Sequence, residues 1–296
     1  MNQSSNSRVA TIELHAAVFL FGISGLFGKL ILESALIIVL GRTAFAALTI
    51  VLGLKMFSVG MRASSRKSLM LIAVSGVLLA LHWLAFFHAI QVSTVAIGLI
   101  GYATFPIFVT FLEPLLSSQR VRAVDILSAF VVVIGLVLVA PRFDLSDSGM
   151  VGLIWAVVSG ALFAMLTLYN RILVKENSVC VVALYQHASA ALVLLPVVFI
   201  QAEVPQSNTV LLLLILGVFC TALPQILFIK SLAVLKAHFV SIVAGLEPVY
   251  GILFAAVFLS EIPELQTMIG ACLVFGAVVI AMRAHTNLDE EVKKDG

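Results

Sequence analysis

The stretch V-S-T-V-A-I-G-L-I-G-Y-A-T-F-P, residues 92–106, lies over V-L-K-A-H-F-V-S-I-V-A-G-L-E-P, residues 234–248, at an offset of 142 residues. Val92 meets Val234, Ile100 meets Ile242, Pro106 meets Pro248 and, further back, Lys29 meets Arg171. Two residues of slippage in a loop bring R-T-A-F-A-A-L, from Arg42, over Q-H-A-S-A-A-L, from Gln186. Identity is low, but a basic helix end, A-x-A-A-L and a proline follow in the same order in both halves. The chain contains itself twice, and an internal repeat of this kind constrains the fold before any single residue does.

Both copies are written in membrane composition. Of 296 residues 62% are hydrophobic and only 11% charged, and the mean hydropathy is +1.18. Soluble domains run at about 45–50% apolar and about 25% charged, so polar side chains cannot cover a globular surface here, which excludes a soluble enzyme. Runs of Leu, Ala, Val and Ile of helical length fill the chain, without the alternation of a β-barrel. Apolar windows predict helices near 12–31, 35–57, 69–90, 93–115, 124–140, 150–171, 179–200, 210–232, 237–259 and 264–283, each near the ~20 residues that cross a bilayer. The longest connection, from about Phe57 to Ser68, is too short for a soluble domain. Lys29 near the far end of the first window, with no A-x-A-like site behind it, reads as a retained helix rather than a cleaved signal. Cys180, Cys220 and Cys272 stand singly, without CxxC spacing, as small packing residues.

Charge sets the expected topology. With ten spans, 14 of the 17 basic residues fall on the side that holds both termini and the even-numbered loops. Among them are Arg62, Arg66, Lys67, Arg120, Arg122, Lys230 and Lys236. Lys29 and Arg142 lie on the other side, and Arg42 lies within the second span. The positive-inside rule then makes both termini cytoplasmic in a plasma (inner) membrane protein. The expected layout is a tail over 1–11, a first five-helix repeat over 12–141, a second over 150–284 and a tail over 285–296. An odd number of spans per repeat turns the second copy upside down. Inverted repeats are an architecture of secondary transporters, because two similar bundles in opposite orientation give inward- and outward-open states of similar energy.

F-G-I-S-G-L-F-G-K-L at 21–30, Arg42, F-F-H-A-I-Q-V-S-T-V-A-I-G at 86–98 and above all L-E-P-V-Y-G-I-L-F-A-A-V-F-L-S-E-I-P at 246–263 resemble the EamA type of the drug/metabolite transporter superfamily. The resemblance covers roughly residues 10–284. It implies an all-α polytopic protein of ten transmembrane helices in two inverted five-helix repeats. It also implies a central substrate cavity and transport of small metabolites, often amino acids or related compounds and often outward. It further implies that an arginine at the position of Arg42 is usual. Gln119 stands where the repeat sets Glu261, a departure of the first half from the motif.

Ionisable groups in hydrocarbon cost about 2.5–3.5 kcal/mol each at a helix centre, so each needs a reason. Glu247 lies about ten residues into span nine, some 15 Å deep. Pro248 after it leaves the carbonyl of Val243 or Ala244 short of its normal partner and is expected to kink the helix. A carboxylate out of water is stabilised by a proton or a cation, which suits proton binding or pairing with a substrate amine; the alternative is a structural glutamate bonded to a neighbouring helix. Arg42, about 10 Å in from the outer end of span two, either snorkels, holds a carboxylate with its fork or serves the architecture, the role favoured here. Gln186 and His187, at mirror depth in the second repeat, read as gate or packing groups.

His82 and Phe86 share one face of span three, and Trp83 and Phe87 the next. These rings either line a cavity for an aromatic or cationic metabolite or pack the core. Gln225, after Pro224, stands where the repeat sets Trp83. Tyr102 and Tyr250 carry hydroxyls at interior depth. Small residues including Ser24, Gly25, Gly98, Gly101, Ser241 and Gly245 recur at spacings that let helices approach closely. The expected substrate-binding set is thus Glu247, Gln225, His82, Trp83, Tyr102, Tyr250 and Ser24, with Arg42, Gln186 and His187 as gating or structural polar groups. His15, His88, His238 and Glu113 lie near span ends. No metal-ligand, hydrolase or Walker A signature occurs, so neither a metal, a cofactor, ATP-driven pumping, catalysis nor nucleic-acid binding is expected. The expected partners are a small-molecule substrate, the lipid bilayer, a coupled proton and a second copy of the chain, the last through the aliphatic spans five and ten. The rivals are a passive facilitator of the same solutes and a membrane scaffold or sensor.

Overall fold

The computed structural model describes residues 3–115, 123–139, 146–201, 205–235, 240 and 243–294. Gln119, Arg120, Arg122, Arg142, Lys236, His238 and Ser241, used above for topology, motif and packing, lie outside the described residues. The described residues are helical with no strand. The helices are α1 (Gln3–Ser24), α2 (Phe27–Leu30), α3 (Ala35–Met56), α4 (Arg66–Val92), α5 (Val95–Tyr102), α6 (Phe105–Leu112) and α7 (Ala123–Val139). They continue as α8 (Ser148–Leu173), α9 (Val179–Gln201), α10 (Ser207–Gly217), α11 (Leu223–Val234), α12 (Glu247–Phe258) and α13 (Leu265–Lys294). Seven helical segments are long and apolar enough to cross a membrane: 7–30, 35–56, 66–92, 95–112, 148–173, 179–200 and 207–234. Three shorter apolar helices occupy 123–139, 247–258 and 265–280. Each of the ten apolar windows overlaps one of these segments. The residues of the expected terminal tails continue the first and last helices, α1 beginning at Gln3 and α13 running to Lys294; no proline interrupts either run, so the helix propagates past the apolar window.

Caps and prolines set where the helices start and stop. Ser34, Ser65, Thr94 and Asp147 each accept a backbone N–H from three residues ahead, at Ile37, Ser68, Ile97 and Met150, which satisfies a donor that has no partner within the helix. Three apolar windows read as continuous are interrupted. The first breaks at Gly25–Leu26, the fourth at Ala103–Thr104 and the eighth at a π turn over Val218–Ala222. Beyond the fourth break, Pro106 stands in the first turn of α6, where its missing N–H costs nothing. The ninth window shows the same arrangement: a turn at Gly245–Leu246, then α12 with Pro248 in its first turn. Glu247 is therefore not midway along a kinked helix but the first residue of α12. The two turns, 103–104 and 245–246, stand 142 residues apart, at the offset of the repeat.

Pairing between helices follows one rule. Take α1–α2, α3, α4, α5–α6 and α7 as five segments, and α8, α9, α10–α11, α12 and α13 as five more. α4 packs on α8 as α1 packs on α11, α4 packs on α9 as α3 packs on α10, and α5–α6 pack on α8 as α1 packs on α12. α3 with α9, α5 with α12 and α7 with α13 pair segment with counterpart. Exchanging the two sets leaves this pairing pattern unchanged. Close approach at the crossings needs glycine. A Cβ on Gly22 would meet Tyr250 Cβ at 2.8 Å, and one on Gly270 would meet the Gly135 carbonyl at 2.6 Å, so α1 meets α12 and α7 meets α13 nearly backbone to backbone. The central core joins Phe21, Trp83, Phe86, Phe87, Tyr102, Phe105, Phe163 and Phe228. Outside, α7 and α13 expose Ile126, Leu127, Phe130, Val133, Leu265 and Met268, an apolar face that suits lipid.

Candidate functional site

In the middle of the core, groups from both halves line a cavity of about 20 Å³, room for about one water. Phe21, Ser24, His82, Trp83, Phe86 and Tyr102 line it from the first half, and Phe163, Gln225 and Glu247 from the second. Six of the seven substrate-site candidates are thus side by side. Tyr250 is the exception. Three residues beyond Glu247, it leaves the cavity and packs its ring edge-on against Phe19 at 5.5 Å, half-buried over Gly22.

Each wall has a local cause. Glu247 is buried, and the Tyr102 hydroxyl donates to its Oε2 at 3.4 Å; both sit beside the proline-marked breaks, which turn the chain at this depth. His82 Nδ1 lies 2.8 Å from the Ser159 hydroxyl and 3.0 Å from the Ser159 carbonyl. With Nδ1 protonated it donates to the carbonyl; unprotonated, it accepts from the hydroxyl. Ring contacts with Tyr102 at 5.5 Å and Phe163 at 4.9 Å hold His82 in place. The result is a polar floor of one carboxyl, one amide, one imidazole and two hydroxyls inside an aromatic box. The π faces of such a box can take a cation or an aromatic ring, and the Glu247 carboxyl lies beside them.

A second polar group adjoins it. Arg42 is 1% exposed and does not snorkel. Its Nε donates to the Thr221 hydroxyl at 3.0 Å and its Nη2 to the Cys220 carbonyl at 3.3 Å. Pro224 has no N–H, so the Cys220 carbonyl four residues back lacks its usual helical donor and is free to accept from Arg42. The π turn itself is closed by the Leu223 N–H on the Val218 carbonyl. The guanidinium carbon stands 3.8 Å from the centroid of the Trp83 ring and 5.1 Å from that of Phe87, and Trp83 also stacks on His187 at 5.6 Å and 13°. Gln186 donates to the Ser75 hydroxyl at 2.8 Å and to Asn170 Oδ1 at 2.6 Å. Arg42 thus ties the second segment to the eighth, and Gln186, its repeat mate, ties the seventh to the third. Thr221, Ser159, Phe163 and the Cys220 carbonyl escaped the sequence reading. Pro224 was the available signal for the last of these, since a proline inside a continuous helical run leaves the carbonyl four residues back without its usual donor.

Nearer the ends of the helices, Lys29 donates to the Ser93 carbonyl at 2.6 Å and Glu261 accepts the Val95 N–H at 2.9 Å, capping α5. Arg171 pairs with Glu113, and Lys230 with Glu13 at 2.5 Å. His88 meets Trp155 edge-on at 5.4 Å. Among the described residues, no group of three or more His, Cys, Asp or Glu is placed to hold a metal ion.

A profile described as the EamA-like transporter family matches residues 150–283. The second half of the chain is thus similar to EamA-like transporters. Beyond it, the full chain resembles an uncharacterised transporter, YxxF, of Bacillus subtilis (strain 168), 22% identical over 287 residues, covering 94% of this chain and 91% of that protein. An uncharacterised transporter of Archaeoglobus fulgidus is 27% identical over 200 residues, covering 67% of this chain and 71% of that one. A crystal structure 17% identical in sequence superposes with a TM-score of 0.68 over 92% of this chain and 95% of that one, which shows a shared fold. The family match and the transporter relatives support a membrane transporter, and the matched residues include Phe163, Gln225 and Glu247 of the cavity.

Proposed function

We propose that the protein is a ten-span secondary transporter, built as two inverted five-helix repeats, that exports small organic metabolites such as amino acids by alternating access. The observation that carries this reading is the small cavity around Glu247, to which both halves contribute. The shared offset of the two helix breaks and the exchange-invariant pairing of the helices support the repeat. With ten crossings, five per repeat, the copies run in opposite senses, both termini are cytoplasmic, and rocking one bundle against the other opens the cavity to one side at a time. A cavity of about 20 Å³ holds no metabolite, so the arrangement is read as a contracted state that must widen to load. Glu247 receives the cationic group of the substrate, with Gln225, His82, Tyr102 and Ser24 as hydrogen-bonding partners and Trp83 as an aromatic wall. A proton takes the substrate's place on Glu247 in the return step. The apolar face of α7 and α13 is lipid-facing or joins two copies.

The test is a thermal-shift screen of the purified protein against amino acids, nucleosides and amines, followed by flux of each stabilising compound in liposomes. A stabilising compound that the protein moves supports the reading; stabilising compounds that bind without moving would make the protein a sensor. In the same liposomes, Glu247→Gln is expected to abolish the dependence of flux on a pH gradient. Full retention of that dependence removes the proton from the mechanism.

A further inference from the structure

Arg42 is bonded on only two of its three nitrogens. Nη1 is buried and has no hydrogen-bond partner among the described residues, and no carboxylate among them lies within ion-pair distance of the guanidinium. On the same Trp83 ring stacks His187, fully buried, with neither ring nitrogen bonded. A buried polar group left without a partner costs about 1–3 kcal/mol, and more for a charged one, and a neutral imidazole always carries one N–H to give. Two unsatisfied donor groups therefore each lie against one tryptophan, one of them a full positive charge. Trp83 is also a wall of the Glu247 cavity. The Gln186 side-chain carbonyl, also unbonded, is an acceptor and contributes nothing to holding an anion.

We infer that Arg42 Nη1 and the His187 ring form an oxyanion subsite beside the Glu247 cavity, sharing Trp83 with it, and that the carboxylate or other acidic oxygen of the transported molecule binds there. The inference rests on the reading of the cavity as the substrate site and deepens it: the ligand bears an anionic group for Arg42 and a cationic group for Glu247. Thr221, the Cys220 carbonyl and Trp83 hold the guanidinium in place, so one of its N–H edges waits for the anion without reorganisation. This makes Arg42 a binding residue and moves it out of the purely architectural role expected from the sequence.

The chain has two tryptophans, and Trp155 is 42% exposed on the outside of α8. Trp155→Phe therefore leaves Trp83 as the sole tryptophan, in contact with Arg42. In chloride-free buffer, its fluorescence is titrated with benzoate, with benzyl alcohol as the uncharged isostere and with benzylamine as a probe of Glu247. A saturable change with benzoate at least tenfold tighter than any with benzyl alcohol is expected, and Arg42→Gln should weaken it at least tenfold. Should that variant misfold, the comparison of benzoate with benzyl alcohol stands on the single-tryptophan protein alone, and Arg42→Lys, which keeps the charge without the fork, should weaken benzoate by a smaller factor. Benzylamine binding that needs Glu247, with benzoate no tighter than the alcohol, overturns the subsite and leaves the cavity reading intact. Absence of binding by both charged probes overturns the subsite and the cavity reading together.

Discussion

Arg42 shows how one side chain is held far from water. Its Nε and Nη2 have acceptors from a π turn, and its flat face has Trp83 and Phe87. Thr221→Val keeps the shape of the acceptor residue and removes its hydroxyl. The expected loss is about 1–2 kcal/mol, the scale of a hydrogen bond to a charged group in a membrane interior, read as a lower unfolding midpoint in detergent. A midpoint equal to that of the parent would mean that Thr221 does not hold the guanidinium. At the same scale, most cavity residues were legible as types: an acid, an amide and rings in hydrocarbon need a reason, and six of them surround one space. Their partners were not, because a hydrogen bond between Arg42 and Thr221 joins residues 179 apart and leaves no local pattern. Tyr250 was misplaced for a rotational reason, since a residue three positions from Glu247 shares its face only if the helix and its neighbours put that edge inward.

At the scale of the element, proline and glutamate do the shaping. Pro224→Ala restores an N–H that competes with Arg42 for the Cys220 carbonyl. The variant is expected to be as stable as the parent or more so, and to move substrate several-fold more slowly, because the guanidinium loses one of its anchors; an unchanged initial rate of flux would contradict this. Glu261 caps α5 through the Val95 N–H, with its charge set at a helix N-terminus. Glu261→Ala should cost about 1 kcal/mol of stability, while Glu261→Gln, which keeps an acceptor and loses the charge, should cost only a few tenths. The apolar windows located the helices because their period and composition are local properties. The breaks at 103–104 and the π turn at 218–222 did not show in hydropathy, which averages across them. Yet the repeat carried the first of these: Pro106 and Pro248 align, and so do the turns before them.

For the whole molecule, the decisive property is that the main helix pairings survive exchange of the two halves. A similarity too faint to be strong in identity is kept in the contacts, because packing tolerates substitution while segment order does not. Charge asymmetry and hydrophobicity were readable from the chain as wholes, but which faces meet was not, since it depends on glycines such as Gly22 and Gly135 opposite particular partners. With two bundles related in this way around a small shared cavity, alternating access requires the cavity to open to each side of the membrane in turn. Ser24 lines it and is 4% exposed, and its side chain has the size of a cysteine. The most direct measurement uses Ser24→Cys with Cys180, Cys220 and Cys272 replaced by alanine; the Cys220 carbonyl, the atom that holds Arg42, is kept by that change. A small membrane-impermeant methanethiosulfonate is applied to right-side-out and to inside-out vesicles. The account predicts labelling of the introduced thiol from both sides, and labelling from one side only, or from neither, contradicts it.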